Sequence, residues 1–141
     1  MPSTRLTDCI PKLADLWLDV QEAYETEHPN RRLQVTCTHR SEDEQCELFK
    51  IGRKPVGDGK VSWIADDNPT THIVTQLSGR GKNKSKHNLD PAAALDFCIL
   101  IGGKVSWDPA FYTEIGELAK AKGLLWGGEF SFKDYGHLEL P

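Results

Sequence analysis

Long apolar runs are missing from this sequence of 141 residues. None approaches the roughly 18 residues that a bilayer-spanning helix needs. No cationic start followed by an apolar stretch opens the chain at Met1 to Ile10, so no secretory signal is read there and synthesis in the cytoplasm is expected. Positive charge is not in excess: Lys and Arg total 17 against 21 Asp and Glu, a formal net charge of -4. That balance argues against a nucleic-acid binder, which usually carries a basic domain or stripe. The four cysteines, Cys9, Cys37, Cys46 and Cys98, form no Cys-x-x-Cys pair, which excludes a thiolate zinc site of the usual spacing. They read as reduced thiols. No His-Glu-x-x-His helix occurs either, so a thermolysin-type zincin is excluded. Repeats, linkers and low-complexity segments are absent, and residues 1–141 read as a single domain.

What is present is an alternation of helical and extended patterns. Leu6, Ile10, Leu13, Leu16, Trp17, Val20 and Tyr24 recur at three- and four-residue steps and predict a helix from about Leu6 to Glu27, ended by His28-Pro29. Leu33 to Thr38 reads as a short strand. Ser41, with Glu44 three residues on, predicts a capping box opening a second helix that stops at Gly52. Residues 52 to 86 are irregular, with one expected strand at Thr71 to Leu77 and a basic run from Arg80 to Lys86. Ala92 to Ile101 reads as a buried strand. Asp108-Pro109 opens a helix to about Lys122, closed by Gly123, and a last strand covers about Gly136 to Leu140. The fold class expected is α+β. A small antiparallel sheet, from strands near 33, 72, 94 and 137, would carry helices packed on one side.

Asp96 is the one charge in the run from Ala92 to Ile101. Burying an ionised carboxylate is costly unless it is paired or bound to a metal. Side chains alternate along a strand, so Leu95, Phe97 and Ile99 share one face and Asp96 points to the other. At the C-terminus, His137 and Glu139 fall on one strand face, with Asp134 on the turn before them. Ser85-Lys86-His87 ends the irregular segment. Two histidines and a carboxylate from separate segments form the ligand type of catalytic zinc, in which the fourth position is left for water. Asp134 is then available as a proton acceptor outside the ligand set. Asp90, on the turn before the strand, is a rival to Asp96. His39 and His72 read as packing or surface residues.

Ser85-x-His87, Asp96 within an Ala/Leu-Asp-Phe strand, and Asp134-x-x-His137-x-Glu139 resemble the VanY-type D-alanyl-D-alanine carboxypeptidase family. Within that family the chain looks most like phage endolysins that are L-alanyl-D-glutamate peptidases. Trp126-Gly-Gly leads into the last ligand as in those endolysins, and Thr38-His-Arg40-Ser with Gln45 resembles the upstream arginine segment. The similarity runs from about residue 33 to 140. The interval from His87 to Asp96 is nine residues, where the family usually has seven.

The resemblance implies Zn2+ held by His87, Asp96 and His137 on the open sheet face. It implies Asp134 as the general base and Arg40 as the holder of substrate or oxyanion. Ser85 and Gln45 would contact substrate. The expected activity is hydrolysis of peptidoglycan stem peptides at the L-alanyl-D-glutamate bond during host cell lysis. The enzyme would be a monomer that neither inserts in membranes nor binds nucleic acid. It would reach the wall after release from the host cytoplasm by a separate protein. Two rivals remain: a D,D-carboxypeptidase that removes terminal D-alanine, and a non-catalytic module that binds zinc or wall.

Overall fold

Pro11 starts the first helix, α1 (Pro11–Glu27), because a proline at the first helical position gives up an N–H that has no partner there. The helix therefore begins later than the expected Leu6, and Leu6–Asp8 forms a separate 3-10 turn. Leu13, Trp17, Val20 and Tyr24 are all buried, as the periodicity requires. The structure, a computed structural model, describes residues 2–56, 62–65, 73–79 and 84–141.

The strand β1 (Arg31–Cys37) comes next, then α2 (Glu42–Lys50). Ser41 and Glu44 form the expected capping box at the start of α2. A two-stranded antiparallel sheet pairs β2 (Arg53–Val56) with β3 (Ser62–Ala65). The main sheet is built on β4 (Ala94–Ile101). Along one edge of β4 runs β1. The other edge is shared by β7 (His137–Glu139) and β5 (Lys104–Ser106), and β6 (Leu125–Trp126) pairs with β7. All of these pairings are antiparallel. The β4–β5 hairpin turns on Gly102 and Gly103, both at positive φ, which is what a two-residue hairpin loop demands. Between β5 and β6 lies α3 (Pro109–Ala121), capped by Asp108, whose carboxylate accepts from the Ala110 N–H.

One face of the sheet is the core. Leu95, Phe97 and Ile99 of β4 and Leu138 of β7 pack with the α1 stripe and with Tyr112, Ile115 and Ala119 of α3. Phe97 lies between Trp17 and Tyr112, with ring centroids 5.3 and 5.7 Å away. The helices α1 and α3 thus occupy one side, as expected. The α2 helix stands apart, since Gln45 is its buried residue and a polar side chain does not join an apolar core.

The strand expected at Thr71 to Leu77 is not in this sheet. Thr71 and His72 lie outside the described residues, and 73–77 carry no strand. Side chains take the carbonyls there: Arg53 donates to Thr75 O at 2.8 Å and Gln45 to Leu77 O at 2.8 Å. The places in the main sheet are filled by β5 and β6, which the pattern of the sequence did not suggest.

Candidate active site

The register of the sheet decides which side chains meet on its open face. Asp96 pairs with His137 and Ala94 with Glu139, so Asp96, His137 and Glu139 project together, away from the core. Leu95 and Leu138 alternate onto the core side. A bulge in β1 adds a fourth residue. Leu33 and Val35 pair with Ile99 and Phe97, but beyond the irregularity Cys37 pairs with Asp96. One extra residue reverses the facing of the residues beyond it. Cys37 therefore joins the open face, although its spacing from Val35 would place it in the core.

His87 arrives from the other side on a 3-10 turn, Lys86–Asn88. Ser85 caps that turn by accepting from the His87 N–H at 3.2 Å, while Asn88 accepts from the Ser85 N–H at 2.8 Å. Backbone bonds lock the turn to its neighbours: the Arg40 N–H donates to His87 O at 2.8 Å, and the Ala93 N–H donates to Lys86 O at 3.0 Å.

Three acceptor atoms converge as a result. Asp96 Oδ1 lies 3.1 Å from His87 Nε2 and 2.9 Å from His137 Nδ1. The far side of each ring fixes its proton. His87 Nδ1 faces the Thr38 carbonyl at 2.6 Å and must donate to it. His137 Nε2 faces Glu139 Oε1 at 2.8 Å and donates likewise. The two remaining nitrogen lone pairs then point at a carboxylate oxygen. Such a set calls for a cation between its members, either protons or a metal.

The protonation energetics agree. Burial works against charge on His87, but hydrogen bonds to Asp96 and Cys37 and the Asp96 charge outweigh it and raise its pKa to about 10. His137 is raised to about 9 against the same burial cost, by its bonds to Asp96 and Glu139. Burial would raise Asp96, yet the two histidines hold it well below the usual carboxylate range. Glu139 is also lowered: its bonds to His137 and Lys86 overcome desolvation.

The donors suit a metal in kind. Two imidazoles and one carboxylate are the ligands of a catalytic zinc, and ligands at ~2.1 Å around a tetrahedral ion lie about 3.4 Å apart. The separations of the two histidines from Asp96, 2.9 and 3.1 Å, come close, while His87 and His137 share no group of ligand atoms that all lie within 4.8 Å of one another, so the two rings would draw together around an ion. Both histidines carry the outer hydrogen bond that metal-binding histidines need, one to a carbonyl and one to a carboxylate. Among the described residues, two groups of possible ligands share Asp96: Cys37, His87 and Asp96, and Asp96, Asp134 and His137. Asp90 belongs to neither, and it is exposed on the turn before β4.

Asp134 stands beside this set, with its Oδ2 3.8 Å from His137 Nδ1. Its side chain is 51% exposed and reaches the cleft. Partial removal from water, then the nearby charge of Asp96, pushes its carboxyl above the ordinary range. The Trp126-Gly127-Gly128 segment places it. The Asp134 N–H donates to Gly127 O at 2.9 Å, and Trp126 Nε1–H donates to Tyr135 O at 2.9 Å. A Cβ on Gly127 would come within 2.3 Å of Asp134 O and 2.9 Å of His137 Cβ, so the turn closes this tightly only on glycine.

Arg40 lies behind Asp96. Its Nη2 donates to Asp96 Oδ2 at 3.3 Å and to Cys37 Sγ at 3.4 Å, and its Nη1 donates to Gln45 Oε1 at 2.6 Å. Gln45, expected to touch substrate, has no exposed surface and is absent from the cleft wall. All its polar atoms are engaged inside the protein. Ser85 does line the cleft, although its hydroxyl is occupied with the His87 turn. Glu139 and Lys86 extend the site: Lys86 Nζ sits 2.7 Å from Glu139 Oε2 and also donates to the Leu140 carbonyl. Spacing had marked Glu139 as a partner of His137, whereas Lys86 was marked only as the end of the basic run. Of the basic run, residues 80–83 lie outside the described residues, as does His72. Lys84 pairs with Glu42 at 2.5 Å. His39 does not line the cleft.

The cleft encloses about 550 Å³ and is lined by His87, Asp96, Asp134 and His137. Residues 74–77 and Phe130 and Phe132 belong to its wall as well. His87, Asp96 and His137, with the Asp134 carboxyl at their edge, thus open together on this cleft. Residues 78–140 match the family model described as D-alanyl-D-alanine carboxypeptidase. The peptidoglycan L-alanyl-D-glutamate endopeptidase CwlK of Bacillus subtilis (strain 168) is 33% identical over 124 residues, covering 79% of this chain. The chain spans 63% of that relative's length. The crystal structure of the Serratia marcescens L-Ala D-Glu endopeptidase ChiX shares the fold, with a TM-score of 0.59 and 19% identity. That match covers 100% of this chain and 90% of the other.

Proposed function

We propose that this protein is a zinc-dependent endopeptidase that cuts the L-alanyl-D-glutamate bond of peptidoglycan stem peptides. The observation that carries the reading is the convergence of His87 Nε2, His137 Nδ1 and Asp96 Oδ1, with the Asp134 carboxylate at their edge. The substrate class is supported by the curated relative and by the family match. Its place of action would be the cell wall, in lysis of a host after release from the cytoplasm, and only the substrate class supports that part.

A zinc ion held by the three residues would supply a Lewis acid that polarises the scissile carbonyl and acidifies the attacking water. The chain's own groups do the rest. Asp134 takes the proton of that water as its oxygen bonds to the carbonyl carbon, then returns it to the leaving amine as the C–N bond breaks. Its raised pKa suits both halves of the exchange. Arg40 holds Asp96 by its second oxygen and adds positive charge beside the developing oxyanion. Glu139, held by Lys86, keeps the His137 proton on Nε2 and so leaves Nδ1 free.

The family description favours a second reading, removal of terminal D-alanine. Mass analysis of digested muropeptides separates the two. New L-alanine C-termini are expected, and release of free D-alanine without them would overturn the endopeptidase assignment.

A further inference from the structure

Gln45 is the one fully buried polar side chain of α2, and it bonds in two directions. Its Oε1 accepts from Arg40 Nη1 at 2.6 Å. Its Nε2 donates to Thr75 Oγ1 at 3.1 Å and to Leu77 O at 2.8 Å. Arg40 continues the line to Asp96 Oδ2. Thr75 and Leu77 belong to the cleft wall. The chain of bonds thus runs from that wall, through one amide, to the carboxylate at the centre of the site.

The packing around Gln45 is equally specific. Gly79 sits against it at φ +83, and a Cβ there would lie 2.8 Å from Gln45 Cβ and 2.9 Å from the Glu42 carbonyl. Residues 73–77 carry no strand, and Val74 and Leu77 are 48% and 37% exposed. Among the described residues Arg53 adds ties to the Thr75 carbonyl and to Gln76 Oε1. On the arginine side, Nε is buried with no hydrogen-bond partner among the described residues, so the Nη contacts to Gln45, Asp96 and Cys37 decide how the guanidinium is set.

We propose that Gln45 is a positioning residue that fixes residues 73–77 as the substrate-binding wall and, through Arg40, ties that wall to the Asp96 side of the site. It touches no substrate itself. The proposal rests on reading the cleft as the stem-peptide site. The amide is suited to the task because its oxygen accepts on one side while its nitrogen donates on the other.

That asymmetry provides the test. Gln45→Glu keeps an acceptor for Arg40 but has no N–H for Thr75 and Leu77. Hydrogen exchange, zinc affinity by chelator competition, and KM and kcat on a purified stem peptide are compared with wild type. Losing the donor side should speed exchange across 73–77 by about tenfold, the scale of one buried hydrogen bond. On the same argument KM should rise about five- to tenfold with kcat within about threefold, since wall contacts bind substrate before and during reaction alike. Zinc affinity should stay within about threefold, because the ligands and their outer bonds are untouched. Gln45→Met, which loses both sides, should also lower kcat. Should Gln45→Glu not fold, Thr75→Val removes one acceptor and should shift exchange and KM in the same direction. Unchanged exchange across 73–77 overturns the proposal whatever the substrate proves to be. Faster exchange with unchanged KM in an active enzyme overturns it too, while leaving the endopeptidase reading intact.

Discussion

Glu139→Ala tests the site through a residue that is not one of the three proposed ligands. Glu139 Oε1 lies 2.8 Å from His137 Nε2, and its side chain is 14% exposed. It fixes the ring so that Nδ1 carries the lone pair aimed at Asp96. Outer partners of this kind are worth about 10- to 100-fold in metal affinity, or roughly 1.4–2.8 kcal/mol. Low exposure puts Glu139→Ala near the upper end, because no water of bulk mobility replaces the carboxylate and Lys86 loses its partner as well. Glu139→Gln keeps an acceptor at the same place and loses only charge, so it should cost about tenfold or less. Competition of the purified proteins against a chromophoric zinc chelator at about neutral pH reads both numbers. Wild-type affinity in Glu139→Ala would refute the argument that this carboxylate orients His137. Equal losses in both variants would show that charge alone, not orientation, carries the effect.

Two further outcomes come from the same geometry. In metal-free protein His87 and His137 hold their protons up to about pH 10 and about pH 9, against about 6.5 for an unfolded histidine. Their contribution to stability is full below about pH 6.5 and is lost as pH rises through 9 and 10. Asp96, shifted the other way, contributes above about pH 4 and is lost as pH falls towards its depressed pKa. Zinc must displace the histidine protons, so the rise in Tm on adding saturating zinc to chelator-treated protein should be larger at about pH 8 than at about pH 6. An equal rise at both would count against histidine ligation. Gly127→Ala places a methyl 2.3 Å from the Asp134 carbonyl, and should cost about 1–3 kcal/mol of stability with most of the activity. Thermal melts and muropeptide digestion check it, and full activity would mean that the turn has slack the structure does not show.

How much of this is legible in the sequence varies by residue, for physical reasons. The facing of Asp96 and His137 is legible because strand parity is local: a charge among apolar neighbours, and a histidine two before a glutamate. The helix ends are legible at Ser41, Asp108 and Gly123, where capping chemistry is short-range. The β4–β5 hairpin has its signal in Gly102-Gly103, although the strand pattern alone did not suggest β5. Cys37 could not be placed, since the bulge that turns it toward Asp96 depends on pairing with β4. Gln45 looked like a substrate contact because its partners, Thr75 and Leu77, lie some thirty residues away and only folding brings them to it. The alternation near Thr75 suggested a strand, but Arg53 and Gln45 claim the carbonyls a strand partner would have used. Lys86 was hidden for a similar reason, its partners Glu139 and Leu140 lying at the far end of the chain.

The central claim is that His87, Asp96 and His137 hold zinc while Asp134 moves the proton. One comparison tests it most directly: zinc content and stem-peptide cleavage measured side by side for wild type and Asp134→Ala. Both proteins should bind about one zinc per chain, since three ligands remain in the variant. Wild type should release L-alanine C-termini, and Asp134→Ala should lose at least about a hundredfold in kcat, the low end of what a general base contributes. A variant that keeps its zinc and still cleaves at the wild-type rate would contradict the role given to Asp134. Loss of the zinc from that variant would instead make Asp134 a ligand, and the three-residue site would be wrong.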